Sequence, residues 1–81
     1  MMARVRVLYF ASLRDASGVA DELVETGAVD LRGLYLQLQS SRGLVLPPDT
    51  LRVAVDGEFA RWSDPLREGS EVVFLPPVSG G

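Results

Sequence analysis

Cysteine, histidine and lysine are absent from this sequence, and its eight basic residues are all arginine. Without cysteine the chain has no disulfide, no thiolate nucleophile and no zinc site of the usual Cys/His type. Without histidine it lacks the commonest general base. Carboxylates, hydroxyls, two tyrosines and the chain ends remain. This set does not support catalysis by the chain alone, so we expect it to supply a reactive group to another protein's active site.

Long apolar runs and clusters of basic residues are missing as well. No run approaches the length of a membrane span, and the N-terminus lacks the pattern of a signal peptide. The arginines are scattered and the net charge is -3, which disfavours nucleic acid as a partner. We therefore expect a soluble cytoplasmic protein that binds neither nucleic acid nor membrane.

Sites for metals and nucleotides are not expected either. Asp21 and Glu22 form a carboxylate pair with no further ligand at metal spacing, which is typical of a solvated strand end. A Gly-x-x-x-x-Gly phosphate loop is missing, so any ATP would be bound by another protein.

The periodicity of apolar residues indicates strands for most of the chain. The predicted strands are residues 4–10, 19–25, 51–55, 58–62 and 71–75. Leu13 predicts a short helical turn after the first strand, and Asp56-Gly57 is a strong hairpin signal. Asp30 is a suitable N-cap for a helix over residues 31–41, in which apolar residues recur at i, i+3, i+4 and i+7. Gly43 suits the end of that helix.

The order of these elements indicates an α+β fold, a mixed sheet of about five strands with one main helix packed on one face. By analogy with the ubiquitin-like β-grasp fold, the first and last strands are expected to be parallel neighbours at the centre of the sheet. We assign residues 1–75 to this domain and residues 76–81 to an extended C-terminal tail.

Apolar residues also fall on the sheet face that the helix does not cover. Leu8 and Phe10 in the first strand, and Val73 and Leu75 in the last, are predicted there because side chains alternate between faces. A contiguous exposed apolar surface usually marks a site for a protein partner. The alternative is that Phe10 and Leu75 fold over the end of the sheet and fill a small satellite core.

The tail, Pro76-Pro77-Val78-Ser79-Gly80-Gly81, carries no charged side chain. Fully extended, its residues reach roughly 20 Å. Glycine has no Cβ, so a Gly-Gly end can enter a channel too narrow for other residues. The proline pair stiffens the base of the tail, although glycine-rich chain ends are also common without a function.

Over essentially its whole length the chain resembles the small, sulfur-carrying subunits of molybdopterin synthase. The residues that carry the resemblance are Phe10-Ala11-Ser12-Leu13-Arg14-Asp15 with Gly18, Val53-Ala54-Val55-Asp56, Asp64-Pro65-Leu66 with Gly69 and Glu71-Val72, and Phe74-Leu75 with the tail. Asp56 stands where the family often has asparagine, Asp15 where glutamate is usual, and Ser70 where aspartate is common. None of these departures touches the tail.

The resemblance implies a sulfur carrier for molybdenum cofactor biosynthesis. An E1-like enzyme uses ATP to adenylate the carboxylate of Gly81, a sulfurtransferase supplies sulfur to form a thiocarboxylate, and Gly80 provides clearance. The tail inserts into the large subunit of a heterotetrameric synthase, where the sulfur passes to cyclic pyranopterin monophosphate. The chain itself is expected to bind no cofactor and no metal.

Contacts with the large subunit are also implied by the resemblance. The expected docking residues are Phe10, Phe59, Leu75, Pro76, Pro77, Val78 and Ser79.

Other functions are compatible with the same fold and Gly-Gly end. Sulfur carriers for thiamine synthesis, tRNA thiolation or cysteine synthesis share them, although the Pro-Pro-Val-Ser segment favours the molybdopterin branch. A ubiquitin-like protein modifier is a second class; the lack of lysine excludes lysine-linked chains of this protein on itself, but not its attachment to other proteins. An inert interaction module is the third.

Overall fold

The computed structural model describes residues 2–77 as one mixed sheet with a long helix on one face. Its elements are β1 (Ala3–Tyr9), α1 (Ser12–Ser17), β2 (Asp21–Thr26), α2 (Leu31–Arg42), a 3₁₀ helix (Pro48–Thr50), β3 (Arg52–Val55), β4 (Glu58–Ala60) and β5 (Glu71–Leu75). Within residues 2–77 no helix is long and apolar enough to cross a membrane.

The strand order is β2-β1-β5-β3-β4, with β1 and β5 parallel and the other neighbours antiparallel. The predicted β-grasp arrangement is therefore confirmed. The parallel register runs from Arg6 opposite Glu71 to Tyr9 opposite Phe74, so both strands end at the same edge of the domain. Strand β4 lies at the edge of the sheet, as expected for the short partner of a hairpin.

The β3–β4 hairpin is made by Asp56 and Gly57, both in the left-handed region with φ of 52° and 88°. This geometry is the one that Asp-Gly favours in two-residue hairpins. The Asp56 N–H donates to the carbonyl of Glu71, and Asp56 Oδ1 accepts the Glu71 N–H, both at 2.9 Å. These bonds fix the hairpin to the start of β5.

Helix α2 begins as predicted, because Asp30 Oδ1 accepts the Gly33 N–H at 2.8 Å and satisfies a free donor of the first turn. The helix ends at Arg42, one residue beyond the predicted end, and is followed by Gly43, whose φ of 69° suits the residue after a helix. Its buried residues are the predicted apolar positions Leu31, Leu34, Tyr35 and Leu38.

Three aromatic rings pack together between α2 and the sheet. Trp62 stacks on Phe74 with ring centroids 5.8 Å apart, and Tyr35 meets both rings edge-on at 5.6 and 5.0 Å. Strand β4 was predicted to continue to residue 62 but ends at Ala60. The chain turns inward after it, which lets the large apolar side chain of Trp62 leave the edge and join the core.

The interpretation of Asp21 and Glu22 as a solvated strand end holds for Asp21, which is exposed at the start of β2, but is wrong for Glu22. Its Oε2 accepts a hydrogen bond from the Tyr9 hydroxyl at 2.6 Å and another from Arg42 Nε at 3.0 Å. The Glu22 side chain is only 14% exposed, and it connects β1, β2 and the last turn of α2. Its neighbour Asp21 pairs with Arg6 on the outer surface instead.

This network makes the stability of the fold depend on pH. Burial raises the pKa of Glu22, but the hydrogen bonds from Arg42 and Tyr9 outweigh it and hold the pKa below its usual value. Because the folded-state pKa is lowered, the carboxylate stabilises the fold at neutral pH, and this contribution is lost as the pH falls through the folded-state pKa. We predict that Glu22→Gln lowers the unfolding free energy at pH 7 and flattens its decline below about pH 4. Urea unfolding followed by Trp62 fluorescence measures both effects.

Glu58→Gln is the control, since Glu58 is exposed on the edge strand β4. It should retain the decline of stability in acid that the unaltered protein shows. Parallel pH profiles for Glu22→Gln and the unaltered protein would contradict the role given to Glu22.

Candidate docking groove and tail base

The sheet face opposite α2 carries an apolar row that crosses four strands. Leu8 of β1 is aligned with Val73 of β5, Val73 with Ala54 of β3, and Ala54 with Phe59 of β4. Their neighbours along the strands, such as Val53 and the other core residues, point to α2. Because side chains alternate between the two faces of a strand, the residues of this row point away from α2. None of the described elements packs over them.

At one end this row opens into a groove next to the base of the tail. We call it the docking groove; it is lined by Phe10, Ala11, Thr50, Arg52, Phe59, Leu75, Pro76 and Pro77. Phe10 is 47% exposed and Phe59 is 69% exposed. Leu8, Phe10, Val73 and Leu75 line one open surface, as expected from the alternation of the strands. The exposure of Phe10 excludes a satellite core filled by Phe10 and Leu75.

The backbone at Ala11 explains why Phe10 stays outside. Ala11 precedes α1 with a φ of 52° and a ψ of -124°, a sparsely populated combination that costs a residue other than glycine about 1–3 kcal/mol. The Leu13 N–H donates to the carbonyl of Phe10 at 3.1 Å, which closes a tight turn directly after β1. This turn sends Leu13 into the core, where it is 1% exposed, and leaves Phe10 in the groove.

The tail leaves from the same edge. β5 ends at Leu75, and the two prolines that follow have no backbone N–H with which to continue the ladder. The structure thus brings the predicted residues Phe10, Phe59, Leu75, Pro76 and Pro77 together. Of the other predicted residues, Val78, Ser79, Gly80 and Gly81 lie outside the described part of the chain. Residues 2–77 contain no group of acidic side chains that could hold a metal ion.

Comparison with known proteins identifies the family. Residues 7–81 match the model of the ThiS family, which is most of the chain. A molybdopterin synthase sulfur carrier subunit from Escherichia coli (strain K12) is 32% identical over 80 residues, covering 95% of this chain and 99% of that protein. The chain belongs to the ThiS family. The resemblance noted from the sequence is thereby confirmed.

Solved structures agree with this ThiS family fold. A chain in the protein–protein complex of subunit 1 and 2 of molybdopterin-converting factor from Helicobacter pylori 26695 matches with a TM-score of 0.63 and 29% identity, and 100% of both chains is covered. The small archaeal modifier protein 1 from Methanosarcina acetivorans matches with a TM-score of 0.81 over 100% of this chain and 99% of that one. Its identity is 23%, so this likeness concerns the fold alone.

Three groove residues of this ThiS family member, Ala11, Thr50 and Arg52, were not among the predicted docking residues, and Arg52 is the charged one. Arg52 stands opposite Leu75 in the β3–β5 register, and its Cζ lies 5.5 Å from the centroid of the Phe59 ring. The alternation of residues 51–55 already placed Arg52 on the same face as Ala54. Its contact with Phe59 is diagonal, because Phe59 is aligned with Ala54, and it depends on side-chain conformations that the hairpin signal does not specify.

Substitution of the three phenylalanines tests which side chains belong to the core face of the sheet and which to the uncovered face. Phe74 is 0% exposed, whereas Phe10 and Phe59 project into the docking groove. We predict that Phe74→Ala lowers the unfolding free energy by about 3–5 kcal/mol. Phe10→Ala and Phe59→Ala should each stay within about 1 kcal/mol of the unaltered protein. Urea unfolding measures all three; a loss at Phe10 comparable to that at Phe74 would mean that Phe10 belongs to the core.

Proposed function

We propose that this chain is the sulfur-carrier subunit of a molybdopterin synthase and that its working group is the C-terminal carboxyl group of Gly81. The observation that carries the proposal is the position of the docking groove. It lies beside Pro76 and Pro77, so a protein that binds the groove also receives the tail. Membership of the ThiS family and similarity to a molybdopterin synthase sulfur carrier subunit support it.

The chemistry requires activation by another protein. A terminal carboxylate has a pKa of about 3.3–3.7, so at neutral pH it is ionised and a poor acyl electrophile. An E1-like enzyme would transfer AMP from ATP to a carboxylate oxygen of Gly81 and release pyrophosphate. The terminal sulfur of a sulfurtransferase persulfide would then attack the acyl carbon, and AMP would leave as the C–O bond breaks. A thiol would reduce the resulting acyl disulfide by cleaving its S–S bond. The product is a thiocarboxylate, which is a sulfur nucleophile.

The large subunit would supply the remaining chemistry. The lack of cysteine and histidine in this chain leaves the thiocarboxylate as its sulfur nucleophile and leaves acid–base groups to the partner. Gly80 and Gly81 have no side chains to obstruct a narrow channel in that partner. The acceptor is cyclic pyranopterin monophosphate, whose dithiolene sulfurs would come from successive carriers. On this proposal the chain binds no metal and no cofactor, and ATP is bound by the activating enzyme.

Loading of sulfur is the experiment that tests the proposal. The protein is incubated with ATP, its E1-like enzyme and a sulfur donor, and its intact mass is measured. We predict a gain equal to the replacement of one oxygen by sulfur, and no gain in a variant that lacks Gly81. A carrier known to be loaded in the same mixture is the positive control. If that control gains sulfur and this chain does not, the sulfur-carrier function is wrong.

Docking is tested with variants that retain the tail. We predict that Phe10→Ser and Leu75→Ser weaken binding to the purified large subunit at least about tenfold, because each removes a large apolar side chain from the groove. Leu36→Ser is the matched control: Leu36 is also 47% exposed, but it lies on α2 and outside the groove. Isothermal titration calorimetry provides the dissociation constants. Equal losses at Leu36 and Phe10 would show that the groove is not the binding surface.

A further inference from the structure

Three arginines lie on the sheet face that α2 leaves uncovered, and two of them are already paired. Arg4 is 3.0 Å from Glu25, and Arg6 is 3.2 Å from Asp21. Both carboxylates belong to the neighbouring strand β2. Arg52, the third, has no carboxylate of residues 2–77 within salt-bridge distance.

Arg52 is exposed, and it lines the docking groove next to Phe59. Its guanidinium carbon lies 5.5 Å from the centroid of the Phe59 ring, a distance typical of a cation–π contact. Leu75 is its partner in the β3–β5 register, so the tail begins next to it. The ring restricts the side chain before any partner arrives, which reduces the conformational entropy still to be lost on binding.

The charge on Arg52 is not balanced by the groove itself. Among the described residues that line the groove, Arg52 is the charged one, and the others are apolar or, in the case of Thr50, neutral. Arg61 follows β4 at the same edge and lines a neighbouring cleft together with Arg52. Arg52 thus places a positive charge in a groove whose other described lining residues are uncharged.

A protein that covers the groove must remove water from Arg52. A buried charge without a partner is strongly unfavourable, so a purely apolar covering surface would bind this groove poorly. A carboxylate matches the requirement, because the planar guanidinium offers it two parallel N–H donors.

We propose that Arg52 is a recognition residue that pairs with an aspartate or glutamate of the large subunit when that subunit closes over the docking groove. The inference rests on the proposed function and adds to it the charge that the partner must present. Electrostatic pairs of this kind contribute to specificity and to the rate of association.

The decisive variant is Arg52→Leu, which makes the groove more apolar. We expect it to weaken binding to the large subunit about tenfold and to reduce the rise of the dissociation constant with salt. Arg52→Lys keeps the charge but loses the planar fork; it should bind with intermediate affinity and retain the salt dependence. Titration calorimetry at about 0.05 M and 0.4 M NaCl, on either side of physiological ionic strength, measures both quantities.

Arg4→Leu is the matched control for the change in net charge. Arg4 is exposed at the start of β1, at the opposite end of that strand from Phe10 and the docking groove. It should leave the dissociation constant within about twofold of the unaltered protein, because the charge removed lies at the far end of the sheet from the groove.

The outcomes separate this inference from the proposed function. If the unaltered chain binds and Arg52→Leu binds equally well or more tightly, the role of Arg52 is wrong and the proposed function stands. If the unaltered chain does not bind the large subunit at all, both are wrong for this partner. The mass measurement then decides separately whether the chain carries sulfur.

Discussion

The parallel pairing of β1 with β5 is the constraint on which the rest of the molecule depends. Its register, from Arg6 opposite Glu71 to Tyr9 opposite Phe74, joins the two ends of the described chain. A shift of one residue would exchange the faces of a strand and bring its core side chains to the surface. The correct register therefore secures the hydrophobic core and also determines what lies on the other face.

Because the two strands are parallel, they end at one edge of the domain. Phe10 and Pro76 follow directly from these ends, which is why the docking groove and the base of the tail are adjacent. An antiparallel pair would place them at opposite edges. On the sheet face opposite α2, the ion pairs of Arg4 and Arg6 lie toward β2, whereas the apolar row opens into the docking groove beside the tail. The core determines where the tail emerges, and the surface that a partner can bind follows from the same pairing.

Features of the fold with local signals could be predicted from the sequence. The N-cap Asp30, the hairpin residues Asp56 and Gly57, and the last strand between Gly69 and Pro76 each depend on neighbours in the chain. Such signals specify where elements begin and end, and they gave the order from which the β-grasp fold was inferred.

Features that depend on distant residues could not be predicted in the same way. The sequence alone indicates a surface carboxylate at Glu22, because its partners Tyr9 and Arg42 come close to it only in the folded sheet and helix. Trp62 was expected on the edge strand, but it packs against the rings of Tyr35 and Phe74, which are distant in the sequence.

The docking groove shows both kinds of feature. Phe10 and Leu75 were predicted from alternation within their own strands, which needs no knowledge of the tertiary structure. Arg52 acquires its role only through Phe59, on the neighbouring strand.

Transfer of sulfur to the acceptor tests the central claim most directly. The loaded carrier is mixed with the large subunit and cyclic pyranopterin monophosphate under single-turnover conditions, and the carrier and the pterin are both followed by mass spectrometry. The expected result is that the carrier returns to the mass of its carboxylate form as the pterin gains its dithiolene sulfurs. A carrier that keeps its sulfur while a known carrier discharges in the same mixture would contradict the claim and would favour another thiocarboxylate pathway.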